Sequence, residues 1–266
     1  MSAADDSTPI TSLEYPPATT KEDFAAHLRA VREKIAAAAE RAGRDPGEVR
    51  LLPVSKTVPE ERIRNAVAAG CHQLGENKVQ EAKRKSENLA DLDIAWSVIG
   101  HLQTNKAKDV AVFASEFQAL DSLHVAEALD RRLQAAGRSL DVLVQVNTSH
   151  EEQKYGLAPS DVPAFLKQLP AFETLHVKGF MTLALFTEDT GKVRACFKVL
   201  RGLRDQLRDT DPDLIGPGEL SMGMSGDYEV AIEEGSTCVR VGQAIFGARN
   251  LPDSYYWPAD RPAGEA

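Results

Sequence analysis

The spacing of apolar residues changes early in the chain, and the change sets out an architecture. From about Glu22 to Ala42 they recur at helical spacing, with Phe24, Leu28, Val31, Ile35 and Ala38 on one face. Thr19 followed by Glu22 reads as a capping box, and Gly43 as the residue just past the helix end. Beyond it the pattern alternates. Short apolar runs, most of them rich in β-branched or aromatic residues, occupy 49–55, 72–75, 95–100, 117–120, 141–147, 176–182, 219–222 and 237–241. Helical patterns lie between them. Ile63, Ala66, Val67 and Gly70 mark one. Leu123, Ala126, Leu129 and Leu133 mark the next, with Ser122 as cap and Gly137 as stop. Val162, Phe165, Leu166 and Leu169 mark a third, and Val193, Phe197, Leu200, Leu203 and Leu207 a fourth.

Strands that alternate with helices pair in parallel through right-handed crossovers. Eight such units close naturally into a (β/α)8 barrel, a TIM barrel of the α/β class. An open doubly wound sheet is the alternative. It usually has fewer strands and a glycine-rich phosphate loop after its first strand. Here that strand ends in Ser55-Lys56-Thr57-Val58-Pro59. The expectation is one barrel over residues 19–250 with an extra N-terminal helix. A polar, proline-rich leader over 1–18 reads as disordered, and 251–266 reads as a tail in which Tyr255, Tyr256 and Trp257 are candidates to dock on the body.

Composition narrows the function classes. Of 266 residues 42% are hydrophobic, enough for a sizeable core. The net charge of −9 argues against a general nucleic-acid binder, though not against a local basic pocket. The three cysteines, Cys71, Cys196 and Cys238, are far apart and form no C-x-x-C, so neither a disulfide framework nor a zinc site is expected. The longest apolar run, 180–186, falls far short of the roughly 20 residues that span a bilayer. The opening MSAADDSTPI lacks the apolar stretch of a signal peptide. A cytoplasmic protein without membrane or nucleic-acid partners is expected.

In a barrel, chemistry gathers where strands end and loops begin at the C-terminal face. Strand one ends at Lys56, whose amine is a candidate nucleophile toward carbonyls. Strand two ends in Gly75-Glu76-Asn77, either a site or a polar turn. Strand three ends at His101, a ligand contact or a helix cap, and strand four at Asp121-Ser122, read as a cap. Strand five ends at Asn147, ahead of Lys154-Tyr155, and strand six at Met181-Thr182. Strand seven runs into Ser221-Met222-Gly223-Met224-Ser225-Gly226-Asp227. Strand eight runs through Arg240 to Gly242-Gln243. Phosphate sites in barrels commonly use the loops after strands seven and eight, and small residues before a helix N-terminus suit an anion. Arg240, inside an otherwise apolar strand, needs a counter-charge or an acceptor. A lysine, a phosphate cup and a polar group for a ring nitrogen together make the expected site for pyridoxal 5′-phosphate (PLP).

The segments 52–57, 74–77, 99–106, 221–225 and 239–247 stand in the order found in the pyridoxal phosphate homeostasis proteins, and the chain resembles that family from about Glu22 to Arg249. The resemblance implies the barrel of the alanine racemase N-terminal domain, PLP fold-type III, without that enzyme's second domain. It implies a Schiff base between PLP and Lys56. Ser225, Gly242 and Gln243 would lie at the phosphate, Asn77 near the ring, and Arg240 at the pyridine nitrogen. The implied role is intracellular PLP homeostasis, buffering or delivering the cofactor without robust turnover, with PLP-dependent apoenzymes as candidate recipients. Two departures stand out. Ser97 follows Trp96 where the family has histidine, and Gln243 stands where threonine or serine is usual. The stretch 183–186 is also more apolar than the family pattern.

The alternative from another class is a PLP-dependent amino-acid racemase. Racemisation needs a base on each face of the substrate. Lys56 serves one, and Tyr155, Tyr228, Tyr255 and Tyr256 are the candidates for the other, none with a clear case. An arginine at the ring nitrogen weakens carbanion stabilisation by disfavouring a proton there, although racemases of this fold tolerate it. A Schiff-base aldolase using Lys56 alone leaves the phosphate cup unexplained. No catalytic residue is assigned, and a monomer is expected.

Overall fold

In a computed structural model of the chain, residues 15–149, 151 and 153–248 are described. All eight expected strands form: β1 Arg50–Pro53, β2 Gln73–Glu76, β3 Ala95–Val98, β4 Ala114–Leu120, β5 Leu140–Gln145, β6 Leu175–Met181, β7 Glu219–Ser221 and β8 Cys238–Val241. The pairings are parallel, in the order β1-β8-β7-β6-β5-β4-β3-β2. A parallel bridge between Val54 and Gly75, with the Ser55 N–H donating to the Gly75 carbonyl at 3.0 Å, joins the end of β1 to β2 and closes the ring. The fold is the (β/α)8 barrel, not an open sheet.

The helices are α1 Lys21–Arg41, α2 Glu60–Ala68, α3 Val79–Asn88, α4 Ala107–Phe113, α5 Leu123–Ala136, α6 Val162–Leu166, α7 Thr190–Thr210, α8 Tyr228–Glu233 and α9 Gln243–Phe246. The extra helix α1 buries its expected face of Phe24, Leu28, Val31, Ile35 and Ala38 against α2, α8 and α9. Its cap lies one residue later than the spacing suggests. Thr20 Oγ1 accepts from the Asp23 N–H at 3.2 Å, while the Asp23 carboxylate accepts from the amides of Thr20 at 2.9 Å and Thr19 at 3.0 Å. The short Asp23 side chain reaches both amides, and those bonds hold its pKa down to about 2. At the other end Gly43 takes a left-handed φ of 67°, and the Arg44 N–H closes back on the Ala39 carbonyl at 2.9 Å. Ser122 occupies the cap position of α5 but makes no side-chain capping bond.

Periodicity gave no pattern for α3, α4 or the short α8 and α9. The buried side of α3 is Val79, Ala82 and Lys85, so a lysine interrupts the apolar stripe. The seven-residue α4 is too short to display a period. The apolar core lies between strands and helices. One half sits under α4, α5, α6 and α7 and the other under α1, α2, α8 and α9. The barrel interior holds polar side chains, with Ser97, Glu116, Gln118, Ser221 and Arg240 all buried. Cys71, Cys196 and Cys238 are free and buried.

The leader boundary needs correction. Ala18 is fully buried, and the Tyr15 carbonyl accepts from the Ala248 N–H at 3.1 Å, so 15–18 belongs to the packed body. The rest of the leader, 1–14, and the tail 251–266 with Tyr255, Tyr256 and Trp257 lie outside the described residues. Among the described residues no helix is long and apolar enough to cross a membrane.

Candidate site at the C-terminal mouth of the barrel

Lys56 leaves β1 just past the bridge that closes the ring, half-buried, with its backbone anchored on both sides. Before it, the Ser55 carbonyl accepts from Lys85 Nζ at 2.7 Å; after it, the Thr57 N–H donates to Glu81 Oε1 at 2.8 Å. Thr57 holds φ at 66°, and among the described residues no other non-glycine has a positive φ. A β-branched residue there is strained and stays only because its surroundings hold it.

Both anchors converge on one buried ammonium. Lys85 is 0% exposed, and its Nζ also donates to Glu76 Oε1 and Glu81 Oε1, each at 2.7 Å. Its three protons are therefore used. Ser55 Oγ donates to Glu76 Oε1 at 2.6 Å, while Glu76 Oε2 is buried without a hydrogen-bond partner. Burial raises the pKa of Glu76, and the Lys85 ammonium and Ser55 hydroxyl pull it part of the way back. Lys85 and Glu81 were not singled out in the sequence. Their trace there is the i,i+4 Glu–Lys spacing within a segment short of apolar residues.

The β1–β8 register sets Leu52 beside Arg240 and Pro53 beside Val241, which brings Gly242 alongside Val54. A Cβ on Gly242 would lie 3.3 Å from the Val54 carbonyl oxygen. The Gly242 N–H donates to Ser225 Oγ at 3.3 Å and opens α9, whose first amides have no partner within the helix. Ser225 sits in the loop after β7. Gly223 turns that loop at φ 98°, where a Cβ would come within 2.6 Å of Ala231 Cβ and 2.8 Å of Tyr228 Cα, so only glycine fits. The Asp227 carboxylate accepts from the Met224 N–H at 2.5 Å, and the Tyr15 hydroxyl donates to the Ser225 carbonyl at 3.2 Å. The far end of α9 is held too: the Ile245 carbonyl meets His27 Nδ1 at 2.9 Å, and the Phe246 carbonyl accepts from Arg62. Gln243 is the first residue of α9, so its backbone amide is the group it offers to the cup.

Arg240 is 3% exposed. It finds acceptors rather than a counter-ion: Nη1 donates to Ser221 Oγ at 2.7 Å and Nη2 to the Thr182 carbonyl at 2.8 Å. Asn77 lies between β2 and α3. Its carbonyl rests against Gly100, where a Cβ would come within 2.1 Å of that oxygen, so the exits of β2 and β3 are in contact. Thus Lys56, Ser225, Arg240, Gly242 and Gln243 meet around the β7–β8–β1 exits, with Asn77 on the adjoining β2 exit. A separate polar group lies farther round the mouth. The His101 ring stacks on Tyr155 with centroids 3.9 Å apart, and His101 Nδ1 is 4.0 Å from Asp121 Oδ2. Lys154 Nζ donates to the Ala184 carbonyl at 3.0 Å and pairs with Glu151. Tyr228 is buried, with its pKa pushed up to about 12.

The alanine racemase N-terminal domain family model matches residues 26–250. The pyridoxal phosphate homeostasis protein of Pseudomonas aeruginosa is 41% identical over 227 residues, covering 85% of this chain and 96% of that one. The chain belongs to the pyridoxal phosphate homeostasis protein family. Its relative in Aquifex aeolicus is also 41% identical, over 222 residues, 84% of this chain and 96% of that one. Among solved structures, PipY of Synechococcus elongatus with PLP bound superposes with a TM-score of 0.73 at 34% identity, covering 84% of this chain and all (100%) of PipY. Alanine racemase of Streptomyces lavendulae, at 16% identity and a TM-score of 0.68 over 90% of this chain and 62% of its own, shares the fold. In fold, the chain thus corresponds to the barrel part of that longer enzyme.

Proposed function

We propose that this protein binds PLP covalently through Lys56 and serves intracellular PLP homeostasis as a buffer or donor of the cofactor, without robust turnover. The observation that carries the reading is the convergence on one mouth of an anchored lysine, a hydroxyl-and-amide cup and a buried guanidinium. When bound, PLP supplies an aldehyde that condenses with an amine and a ring that withdraws electrons from what is attached to it. The donors present fit such a group. Ser225 Oγ and the amides of Gly242 and Gln243 take the phosphate at a helix start. Gly242, without a side chain, leaves room beside Val54. Arg240 would stand at the pyridine nitrogen of a bound PLP, where its charge would disfavour a proton and weaken the ring as an electron sink. Asn77, at the adjoining β2 exit, would border the ring.

A second base for racemisation is poorly provided. Tyr228 is buried, with a pKa pushed up to about 12 and thus a phenol unready to take or give a proton. Tyr155 is 59% exposed and stacked on His101. This favours a carrier over a racemase. The partners implied are PLP and PLP-dependent apoenzymes, the compartment is the cytoplasm, and the protein acts as a monomer.

The test separates delivery from turnover. PLP-loaded protein is mixed with a PLP-free aminotransferase and recovered transaminase activity is followed; in parallel, L-alanine is incubated with the loaded protein and D-alanine is measured. Activation of the apoenzyme with no D-alanine above background is the expected result. Multiple turnovers to D-alanine would make the protein a racemase, and failure to take up PLP at all would remove both readings.

A further inference from the structure

The acceptors of Arg240 do not end its hydrogen-bond network. Ser221 Oγ, which accepts from Arg240 Nη1 at 2.7 Å, has its own proton to give and donates it to Gln118 Oε1 at 2.7 Å. Gln118 Nε2 in turn donates to Glu116 Oε2 at 2.8 Å. Ser97 Oγ donates to the same oxygen at 2.7 Å, and Arg50 Nη2 donates to Glu116 Oε1 at 2.7 Å. The members sit on β8, β7, β4, β3 and β1, and all but Arg50 are buried in the barrel interior. The chain therefore runs from the C-terminal mouth, at Arg240, to the opposite end, at Arg50.

Every link donates toward Glu116. A guanidinium only donates and an ionised carboxylate only accepts, so the hydroxyl and amide between them have their donor–acceptor sense fixed. Each step moves a proton-bearing group toward Glu116 and so polarises the next. Among the described residues no carboxylate lies within ion-pair distance of Arg240. The nearby charges and titratable groups are Cys238 on its own strand, Asp227 in the loop after β7, and Glu116. Asp227 spends one oxygen on the Met224 amide, and burial raises its pKa; burial raises that of the Cys238 thiol too. Of the three, only Glu116 has its pKa lowered: Arg50 beside it and the bonds from Ser97 and Gln118 outweigh its burial.

We propose that Glu116 is the remote counter-ion of Arg240, and that Glu116, Gln118 and Ser221 are positioning residues that aim the guanidinium into the mouth and set its electrostatic effect on the ring it faces. Ser97 belongs to this unit. Where the family pattern has histidine, this chain supplies a hydroxyl that donates to Glu116. The inference rests on the proposed placement of PLP with its ring nitrogen at Arg240.

The experiment compares wild type, Glu116→Gln, Ser221→Ala and the double variant. Glu116→Gln keeps an acceptor for Gln118 and removes the charge. Ser221→Ala cuts the relay beside Arg240 and leaves the Arg50–Glu116 pair intact, so it remains informative if Glu116→Gln fails to fold. Two quantities are read: the PLP dissociation constant by fluorescence quenching, and the pH at which the absorbance of the bound chromophore changes. Without the Glu116 charge the mouth is more positive, so that transition moves to lower pH by about half a unit or more. Ser221→Ala moves the same transition, and the double variant moves it no further than the larger single change, because one relay is cut twice. A merely structural role would lower thermal stability in each variant, with an unmoved transition or with additive shifts, and that result overturns the proposal. If wild type takes up no PLP, the functional reading fails instead, and the two failures are thereby told apart.

Discussion

Replacing Lys85 by methionine tests the anchorage of Lys56. Methionine nearly matches the length of the stem and fills its volume, so little packing is lost. What disappears is an ammonium, 0% exposed, that donates at 2.7 Å to each of Ser55 O, Glu76 Oε1 and Glu81 Oε1. Glu76, itself 0% exposed and with Oε2 already unpartnered, would be left as a buried charge without its cation. Breaking a buried pair from one side costs about 3–5 kcal/mol. That is a large share of the roughly 5–15 kcal/mol that holds a domain folded. Urea unfolding should show the loss as a lower midpoint at unchanged slope. Neutralising the stranded partner, in Lys85→Met with Glu76→Gln, should recover a large part of it. The pH dependence has a definite sign. Burial already raises the Glu76 pKa, and losing Lys85 raises it further. A carboxyl with a raised folded-state pKa binds its proton more tightly when folded, so the variant's penalty is largest at neutral pH and shrinks as pH falls through that raised value. A Lys85→Met loss below about 1 kcal/mol, or a double variant no more stable than the single one, would refute the reasoning.

Other perturbations address the cup, the mouth and the cap. Ser225→Ala should weaken PLP affinity roughly 5- to 150-fold, the equivalent of a charge-assisted hydrogen bond worth about 1–3 kcal/mol; unchanged affinity by fluorescence titration would assign the cup to backbone amides alone. Gly100→Ala places a Cβ within 2.1 Å of the Asn77 carbonyl oxygen and should cost more than about 2 kcal/mol, seen as a fall in the urea midpoint; a neutral result would mean the β2 exit moves aside freely. Asp23→Ala should lower the melting temperature at neutral pH. Because the Asp23 pKa is lowered to about 2, its contribution is complete above the ordinary carboxylate value and is lost as pH falls toward 2, so the two melting curves should converge there.

The barrel was legible because its signal is redundant. Each strand is a short apolar run set off by turns, and eight in alternation with helices leave little choice of closure. Lys56, Ser225 and Gly242 stood out as candidates because polar and glycine residues at strand exits break the apolar pattern. What stayed hidden was the support beneath them. Lys85 is a lysine in the interior, and periodicity treats lysine as surface, which concealed both the residue and the helix α3 that carries it. Glu116 and Gln118 point inward from β4, yet a polar residue in a strand reads as the solvent face until the barrel closes around it. The expected need of Arg240 for a partner was sound. That the partners would be a hydroxyl and a carbonyl, with the carboxylate three links away, depends on register between strands far apart in sequence.

The central claim is that Lys56 carries the cofactor. Purified protein, loaded with PLP, is reduced with borohydride, digested and mapped by mass spectrometry. The account predicts a phosphopyridoxyl adduct on the peptide containing Lys56 and its loss in Lys56→Ala. An adduct on Lys85, Lys154 or another lysine, with Lys56 unmodified, would contradict it.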